Sequence, residues 1–318
     1  MKNNSLKVDI IAVCRNSAEF LPKMIESALN QDYEEKKIFI QDGGSTDGTL
    51  DILKCYPIDW ISESDNGISH AFNKAINATN GDIIGFMCAD DGLLPGAITA
   101  IVEVFKKAPD VIMVYGDCLL LNNKREPYRI WKGEPFDLDL LFWKNFIPFQ
   151  TVYVRRHALY DVGMFDEELK LVQDWDLWLR LGVRFTDRYF RYIPKVLGYY
   201  QFSHDYKSTG SNFPLHAECQ KKVIFRFFND PTSVAKLKLG KKRALAGANL
   251  SLSSSYYLAA QGSLAWKKYG LAIQLFPKIV FMKYNFFILT KLIFGMRFWV
   301  LYRKLKIRWC YFSKKKLW

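Results

Sequence analysis

The chain has 318 residues, half of them apolar and 16% aromatic, which is typical of a globular protein with one or two domains. Its net charge of +13 is unevenly spread: the residues after Asp230 include 18 Lys and Arg and no acid, whereas the first 230 include 27 basic and 32 acidic residues. An acidic body whose basic residues alternate with acids argues against a nucleic-acid-binding protein. Six scattered cysteines without a Cys-x-x-Cys pair argue against a disulfide framework or a zinc site, and suit a reducing cytoplasm.

Strands and helices alternate over the first 121 residues. Apolar runs predict strands at 8–13, 37–41, 58–62, 83–88 and 111–121. Helical spacing and capping residues predict helices at 21–29, 48–56, 67–78 and 97–107. Strands separated by single helices form parallel βαβ units, so we expect an α/β fold with a mostly parallel central sheet and helices on both faces. Ligands of such sheets bind at the carboxyl ends of the strands, where Asp42, Asp65, Asp90 and Asp91 all fall.

Beyond residue 121 the alternation loosens. We expect a helix at 175–181 among shorter strands at 150–155, 189–193 and 196–202. From residue 214 the pattern is helical, and the end of the chain is both apolar and basic. The predicted domains are therefore 1–213, with halves 1–121 and 122–213, and a helical C-terminal region 214–318.

Two neighbouring carboxylates follow the strand predicted at 83–88, in the stretch GFMCADDGLLPGA. Asp-Gly and a later proline are typical of a turn that leads into a helix, and in that case Asp90 and Asp91 are turn residues. Adjacent carboxylates also repel each other unless a cation is bound between them, so a divalent metal is the alternative. The chain has neither a Gly-x-Gly-x-x-Gly nor a Walker A sequence, so a phosphate-bearing substrate would have to be held by such a cation.

A second acidic cluster lies in LKLVQDWDLWLRLG, residues 169–182. Leu177, Trp178 and Leu181 have helical spacing and should face the core, which leaves Asp174 at the start of the helix. There it is either an N-cap, worth about 1 kcal/mol, or a general base that removes a proton from a hydroxyl. The spacing does not decide between these roles.

Five collinear segments together resemble the family-2 inverting glycosyltransferases of the GT-A fold. They lie between about residues 7 and 205 and read IIAVCRNSAEFLPKMIESALNQDY, IFIQDGGSTDGTLDIL, ISESDNGISHAFNKAI, GDIIGFMCADDGLLPGAI and FDEELKLVQDWDLWLRLG. The resemblance implies a GT-A-type sheet in which 1–121 binds the nucleotide and 122–213 the acceptor. The chain departs from the family at Gln173, where Glu is common, and at Cys88, where many members have Asn or Asp.

The resemblance also implies roles for individual residues. Asp174 takes the place of the catalytic base, Asp91 would hold Mg²⁺ or Mn²⁺, and His204 is a possible contact from a loop over the nucleotide. The residues implied to bind the nucleotide sugar are Val13, Arg15, Asn16, Asp42, Asp65, Asn73, Lys74 and Asp90. Among these, Asp42 would contact the base and Asp90 the ribose. With these acids on one edge of the sheet, a metal becomes the favoured interpretation of Asp90 and Asp91.

The implied function is transfer of a sugar from a nucleotide sugar, expected to be a UDP-sugar, to an acceptor hydroxyl with inversion. The expected acceptor is a lipid-linked glycan in the synthesis of O-antigen, capsule or exopolysaccharide. One alternative is a nucleotidyltransferase that makes sugar nucleotides, which would normally carry a Gly-rich phosphate loop near its N-terminus. The other is a non-catalytic protein that binds membranes or nucleic acid, which would not need Asp91 and Asp174 together.

The C-terminal segment 278–309 is apolar, but its longest run without charge, 284–290, is far shorter than the roughly 20 residues of a spanning helix. Lys283, Lys291 and Arg297 fall on one arc of a helix, which is typical of a helix that lies in a membrane interface. The basic residues that follow would each add about 1 kcal/mol of attraction to an anionic surface. We therefore expect a cytoplasmic protein bound peripherally to the inner face of the plasma membrane. The alternative is a helix packed on the protein itself, with its lysines in solvent.

Overall fold

The computed structural model describes residues 5–122, 124–201, 212–238, 240–281, 288–290 and 292–293. Contacts divide the chain into two compact units. The first comprises residues 1–141 and 145–211, and the second comprises residues 142–144 and 212–318. The division at 211/212 falls beside the predicted boundary at residue 213.

Four parallel strands and four helices begin the first unit. The strands are β1 (Val8–Cys14), β2 (Lys36–Asp42), β3 (Asp59–Ser62) and β4 (Ile83–Cys88), paired in the order β3-β2-β1-β4. The helices are α1 (Leu21–Leu29), α2 (Thr49–Lys54), α3 (Ile68–Ala78) and α4 (Ala97–Lys107). Every boundary lies within about two residues of the predicted one, which is the usual uncertainty of helix ends. The strong alternation of apolar runs explains this agreement.

The rest of the sheet mixes parallel and antiparallel pairs. Its strands are β5 (Asp91–Leu93), β6 (Met113–Leu121), β7 (Pro127–Trp131), β8 (Tyr153–Arg155) and β9 (Phe190–Gln201). The helices of this half are α5 (Leu138–Leu141), α6 (Arg156–Asp161) and α7 (Gln173–Phe185). β8 lies antiparallel between β4 and β6, β9 runs parallel to β6, β5 is antiparallel to β9, and β7 pairs with β6. The predicted α/β class is confirmed.

Three strands of this half differ from the prediction. Asp91 begins β5, so the turn that follows β4 contains Asp90 but not Asp91. β5 is too short to show a pattern, and its Gly92 lies where a Cβ would collide with the ring of Tyr199. β7 begins with a proline and is largely exposed, so it lacks an apolar alternation. β9 is one strand where two were predicted. Its pairing with β6 stops at Ile193 and resumes at Val196 in a shifted register, so the strand continues past Pro194.

The core has two layers, one on each face of β1. All seven residues of β1 are buried, as expected for a central parallel strand covered on both faces. Ile10 and Ala12 pack in one cluster with residues of α1 and α4. Outside that cluster, Phe86 of β4 packs edge-on against Phe72 of α3, with 5.6 Å between ring centroids. Helices therefore cover both faces of the sheet, as predicted.

A buried ion pair joins β1 to the start of α6. Asp9 is 2% exposed, and its Oδ2 accepts a hydrogen bond from Arg156 Nη2 at 2.7 Å. The same guanidinium donates to the carbonyl oxygens of Gly81 and Ile76, each at 2.6 Å, and to Thr79 Oγ1 at 2.9 Å. A buried charge is tolerated only when it is paired and hydrogen-bonded, and this arrangement meets both conditions.

The described part of the second unit is helical. Its elements are α8 (Phe213–Asn229), α9 (Pro231–Val234), α10 (Lys241–Leu258), α11 (Gly262–Leu275) and a 3₁₀ turn (Pro277–Phe281). α10 packs against α8 through polar contacts, in which Ser255 Oγ donates to Gln220 Oε1 at 2.9 Å and Gln220 Nε2 donates to Ser251 Oγ at 2.7 Å. Within the described ranges, the helices lack the length and apolar content needed to cross a membrane.

Candidate active site

Four predicted site residues lie on one edge of the sheet. Because β1 to β4 pair in parallel, their carboxyl ends meet at the same edge. Asp42 is the last residue of β2, and Asn16, Asp65 and Asp90 follow the ends of β1, β3 and β4. This is the edge at which parallel sheets bind their ligands.

Asp42 organises the loop after β2. Its fully buried carboxylate accepts hydrogen bonds from the N–H groups of Gly44 (3.1 Å) and Ser45 (2.9 Å), and from the hydroxyls of Ser45 and Ser62 (2.7 Å for Ser62). Burial by itself raises the pKa of Asp42, but these hydrogen bonds outweigh it and hold the pKa below its usual value. The carboxylate therefore stays charged and fixes the shape of the loop.

Asn16 and Asp65 both lie against the loop after β2. Asn16 has a left-handed φ of 48°, and its Oδ1 accepts the N–H of Thr46 at 2.9 Å. Asp65 Oδ1 accepts the N–H of Gly67 at 2.8 Å, while its Oδ2 lies where a Cβ on residue 43 would collide with it. Gly43 is thus required for the close approach of the Asp65 carboxylate.

Asn73 and Lys74 hold neighbouring segments in place. Asn73 Nδ2 donates to the carbonyl of Phe165 (2.9 Å) and to Glu167 (2.8 Å), and its Oδ1 accepts the N–H of Phe165 (3.0 Å). Lys74 forms an ion pair with Glu63 at 2.9 Å, in the loop before α3. Contact with a nucleotide sugar stays a prediction for the whole set: Val13, Arg15, Asn16, Asp42, Asp65, Asn73, Lys74 and Asp90. The predicted loop contact His204 lies outside the described residues.

A cavity of about 210 Å³ opens beside Asp90 and Asp91. Its other lining residues are Phe20, Lys23, Leu121, Arg125, Tyr199 and Gln201. The guanidinium of Arg125 lies 5.3 Å from the centre of the Phe20 ring, and its Nη2 lies 3.3 Å from Glu19 Oε1. Two carboxylates and two cations in one cavity suit a ligand that carries both phosphates and a metal ion.

The two acids of this cavity differ in exposure. Asp91 is 1% exposed and its Oδ2 accepts the N–H of Cys88 at 3.0 Å, whereas Asp90 is half-buried. In the described ranges, no group of three or more His, Cys, Asp or Glu side chains is placed to hold a metal ion. Mg²⁺, however, is commonly held by one or two carboxylates together with substrate phosphates and water. The pair of carboxylates fits a metal ion that is shared with a diphosphate.

Asp174 lies in the first turn of α7. The helix begins at Gln173, and the residue at its N-cap position is Val172, whose φ of 58° is left-handed. The N-cap interpretation of Asp174 is therefore wrong. Asn145 Nδ2 donates to Asp174 Oδ2 at 3.1 Å, and Asn145 is itself oriented because its Oδ1 accepts the N–H of Ile147 at 3.2 Å.

The surroundings of Asp174 favour its protonated form. Burial is the largest effect and raises the pKa of Asp174, and the nearby charge of Asp176 raises it further. Hydrogen bonds from the N–H of Trp175 and from Asn145 lower it, but not enough to reverse the shift. A carboxylate with a raised pKa is a stronger base than an ordinary aspartate, which suits proton removal from a hydroxyl.

Sequence reasoning missed Asn145, Lys23, Arg125 and Tyr199. Asn145 belongs to no motif, and it meets Asp174 only because the chain folds back on α7. Arg125 lies in the turn between β6 and β7 with a left-handed φ of 62°, and a charged turn residue gives no signal of its own. The composition of the NNKREP turn indicates only an exposed loop.

The sequence is similar to known glycosyltransferases. The family model described as Glycosyl transferase family 2 matches residues 9–163. A PGL/p-HBAD biosynthesis glycosyltransferase of Mycobacterium tuberculosis (strain ATCC 25177 / H37Ra) is 30% identical over 179 residues, which are 54% of this chain and 68% of that protein. An uncharacterized glycosyltransferase of Rickettsia typhi is 24% identical over 309 residues, which are 93% of this chain and 94% of that protein.

Solved structures share the fold. TarS 1–349 from S. aureus, in its complex with UDP-GlcNAc, superposes with a TM-score of 0.61 at 15% identity and covers 83% of this chain and 89% of that one. The mannosyltransferase PcManGT from Pyrobaculum calidifontis, in complex with GDP-Man and Mn²⁺, gives 0.55 at 17% identity and covers 92% of this chain and 88% of that one. These likenesses confirm the predicted GT-A fold.

Proposed function

The chain belongs to glycosyl transferase family 2, and from this premise we propose that it transfers a sugar from a UDP-sugar to an acceptor hydroxyl with inversion at the anomeric carbon. The observation that carries this proposal is Asp174, a half-buried carboxylate with a raised pKa that is held by Asn145. The cavity that Asp90 and Asp91 share with two cations supports a diphosphate-bearing donor. Structural neighbours that bind UDP-GlcNAc or GDP-Man support the nucleotide sugar as donor class.

In the proposed reaction Asp174 removes the proton of the acceptor hydroxyl while the hydroxyl oxygen attacks the anomeric carbon. The bond between that carbon and the diphosphate oxygen breaks on the opposite side, and the diphosphate leaves with the bonding electrons. Asn145 donates to one carboxylate oxygen of Asp174 and so fixes the orientation of the group that accepts the proton. Lys23 and Arg125 line the cavity as positive charges toward the diphosphate.

A divalent cation fits the donor end of this site. Mg²⁺ or Mn²⁺ would be held by Asp91, with Asp90 in the same cavity available to the ribose. When bound, the ion would act as a Lewis acid that neutralises charge on the leaving diphosphate. Asp42 and Asp65 would face the nucleoside through the loop that they organise.

We place the acceptor among lipid-linked glycans of a surface polysaccharide, at the inner face of the plasma membrane. The support is the charge distribution, since the chain after Asp230 has 18 basic residues and no acid. Most of the segment 278–309 lies outside the described residues, so its interfacial helix stays a prediction.

A donor screen tests the proposed function. UDP-, GDP- and dTDP-sugars are incubated with the protein and Mn²⁺ or EDTA, and release of the nucleoside diphosphate is measured. We expect release from a UDP-sugar that EDTA abolishes. Asp174→Asn should keep UDP affinity and lose about 10²–10⁴-fold in transfer to the acceptor, whereas the exposed control Asp110→Asn should change neither. Release of pyrophosphate from a nucleoside triphosphate and a sugar phosphate would instead identify a nucleotidyltransferase.

A further inference from the structure

One face of α8 is basic and carries a large apolar side chain. Lys221, Lys222, Phe225 and Arg226 are all exposed and follow the spacing of a single helical face. Phe225 is 69% exposed, which is unusual for phenylalanine. One acid of this helix, Glu218, is also exposed, one turn before Lys222.

The outer face of α11 has the same character. Leu264, Lys267, Lys268 and Leu271 have the spacing i, i+3, i+4 and i+7, so they share one face. Leu264 and Leu271 are 41% and 37% exposed, on either side of the two lysines. The neighbouring face of α11 buries Ala265, Tyr269 and Ala272 in the second unit.

The two faces belong to helices that both pack on α10: Gln220 of α8 donates to Ser251 Oγ of α10 at 2.7 Å, and Ser253 Oγ of α10 donates to the carbonyl oxygen of Ala265 of α11 at 2.8 Å. Burial lowers the pKa of Lys268 on α11, and the positive charges of Lys221 on α8 and of Lys267 lower it further. We call the surface made by Lys221, Phe225, Leu264, Lys267, Lys268 and Leu271 the α8/α11 surface. An anionic partner would relieve the repulsion among these lysines.

We propose that the α8/α11 surface docks on the headgroups of an anionic lipid bilayer. Lysines that flank exposed leucine and phenylalanine side chains are typical of protein surfaces that insert apolar groups into a membrane interface and keep their charges among headgroups. The chain's own C-terminal segment cannot neutralise this surface, because its charged residues are all Lys or Arg. The inference rests on the membrane association proposed above, and it does not depend on the donor or on Asp174.

Vesicle binding by the full chain tests this inference. Sedimentation is measured with phosphatidylcholine vesicles, with and without phosphatidylglycerol, at low and high salt. The variant Lys221→Gln/Lys267→Gln/Lys268→Gln should lose about tenfold or more of its affinity for anionic vesicles. The control Lys106→Gln/Lys107→Gln/Lys132→Gln removes the same charge from exposed positions of the first unit and should retain binding. Phe225→Ser should reduce the part of the binding that persists at high salt.

Several results would overturn the inference. These are wild-type affinity of the triple α8/α11 variant, equal losses in the control, or equal binding to neutral vesicles. Binding of RNA with the same dependence on these lysines, or a dimer that the variant dissociates, would replace the bilayer by another partner. UDP affinity of each variant, measured by calorimetry, should be unchanged. Absence of UDP affinity in the unmodified chain would instead contradict the proposed transferase function and leave the vesicle result standing.

Discussion

Asp174 combines a destabilising environment with its proposed role as the catalytic base. A carboxyl whose pKa is raised by folding binds its proton more tightly in the folded than in the unfolded state. Its contribution to stability is therefore lost as the pH rises from the ordinary aspartate pKa through the raised one, and above that pH the half-buried charge costs free energy. Asp174→Asn should then raise the free energy of unfolding at neutral pH while it removes transfer, a trade-off found at functional sites.

The hydrogen bond from Asn145 gives a testable pH dependence. Because Asn145 stabilises the carboxylate, its loss in Asn145→Leu should raise the pKa of Asp174. Transfer needs the deprotonated base, so the acid limb of the kcat/KM profile should move to higher pH. The charge of Asp176, which also raises the pKa of Asp174, is unchanged in this variant. The exposed control Asn77→Leu should leave the limb in place, and an unmoved limb in Asn145→Leu would mean that Asn145 does not act on the base.

We expect metal binding to distinguish Asp91 from Asp90. We expect Asp91→Asn to abolish the Mn²⁺-dependent part of UDP affinity, and Asp90→Asn to weaken UDP binding with and without Mn²⁺. Asparagine is chosen because Asp91 Oδ2 accepts the N–H of Cys88, and an amide oxygen keeps that bond. Titration calorimetry with UDP, with Mn²⁺ or EDTA, measures both effects. If Asp90→Asn alone removed the Mn²⁺ dependence, the metal assignment would pass to Asp90.

At the scale of elements, the ion pair between Asp9 and Arg156 links β1, the end of α3 and α6. Arg156→Met should cost about 3–5 kcal/mol in the free energy of unfolding, because it leaves the Asp9 carboxylate buried without its cation. Urea denaturation measures the loss. The double variant Asp9→Asn/Arg156→Met should recover part of it, since no unpaired charge is then buried. A loss below about 1 kcal/mol would place the pair among weak surface contacts.

The sequence predicted the elements whose pattern is local. β1 and α4 repeat apolar residues at the period of a strand and a helix, so their bounds follow from the chain alone. β5 depends on a partner 109 residues away, because Asp91 pairs with Tyr200 and Gly92 makes room for Tyr199. A three-residue strand is too short to carry a sequence pattern that would predict this pairing.

The candidate site also has one part that could be predicted from the sequence and one part that could not. Acids at the ends of β2 and β4 could be predicted to share an edge, because parallel strands end together. Two contacts could not be predicted: Asp42 accepts hydrogen bonds from its own loop, and Asn73 bonds the segment after α6. Both depend on the tertiary path of the chain. The proximity of Asn145 to Asp174 is of this second kind as well.

At the scale of the whole molecule, charge separates the two units. Most acids lie in the first unit, and Asp42 and Asp65 among them shape the edge of the sheet, whereas the chain after Asp230 has none. This difference in charge indicates what each part of the chain can bind, because net charge influences association more than it influences the fold. Under the proposed function, one part of the chain would bind a metal-bound diphosphate while another is attracted to an anionic surface.

A truncation tests the basic end of the chain and leaves every described residue of the second unit in place. The cut belongs after Ile293, because the buried residues Ile279 and Ile288 lie between the end of α11 and that point. The shortened chain loses residues 294–318, which carry eight Lys and Arg and no acid. We expect an unchanged melting temperature and UDP affinity, and weaker sedimentation with anionic vesicles at low salt, since each charge near the surface contributes about 1 kcal/mol. Because the α8/α11 surface remains, binding should fall without vanishing. Unchanged vesicle affinity would show that the end of the chain takes no part in membrane association, and a lower melting temperature would favour its packing on the protein itself.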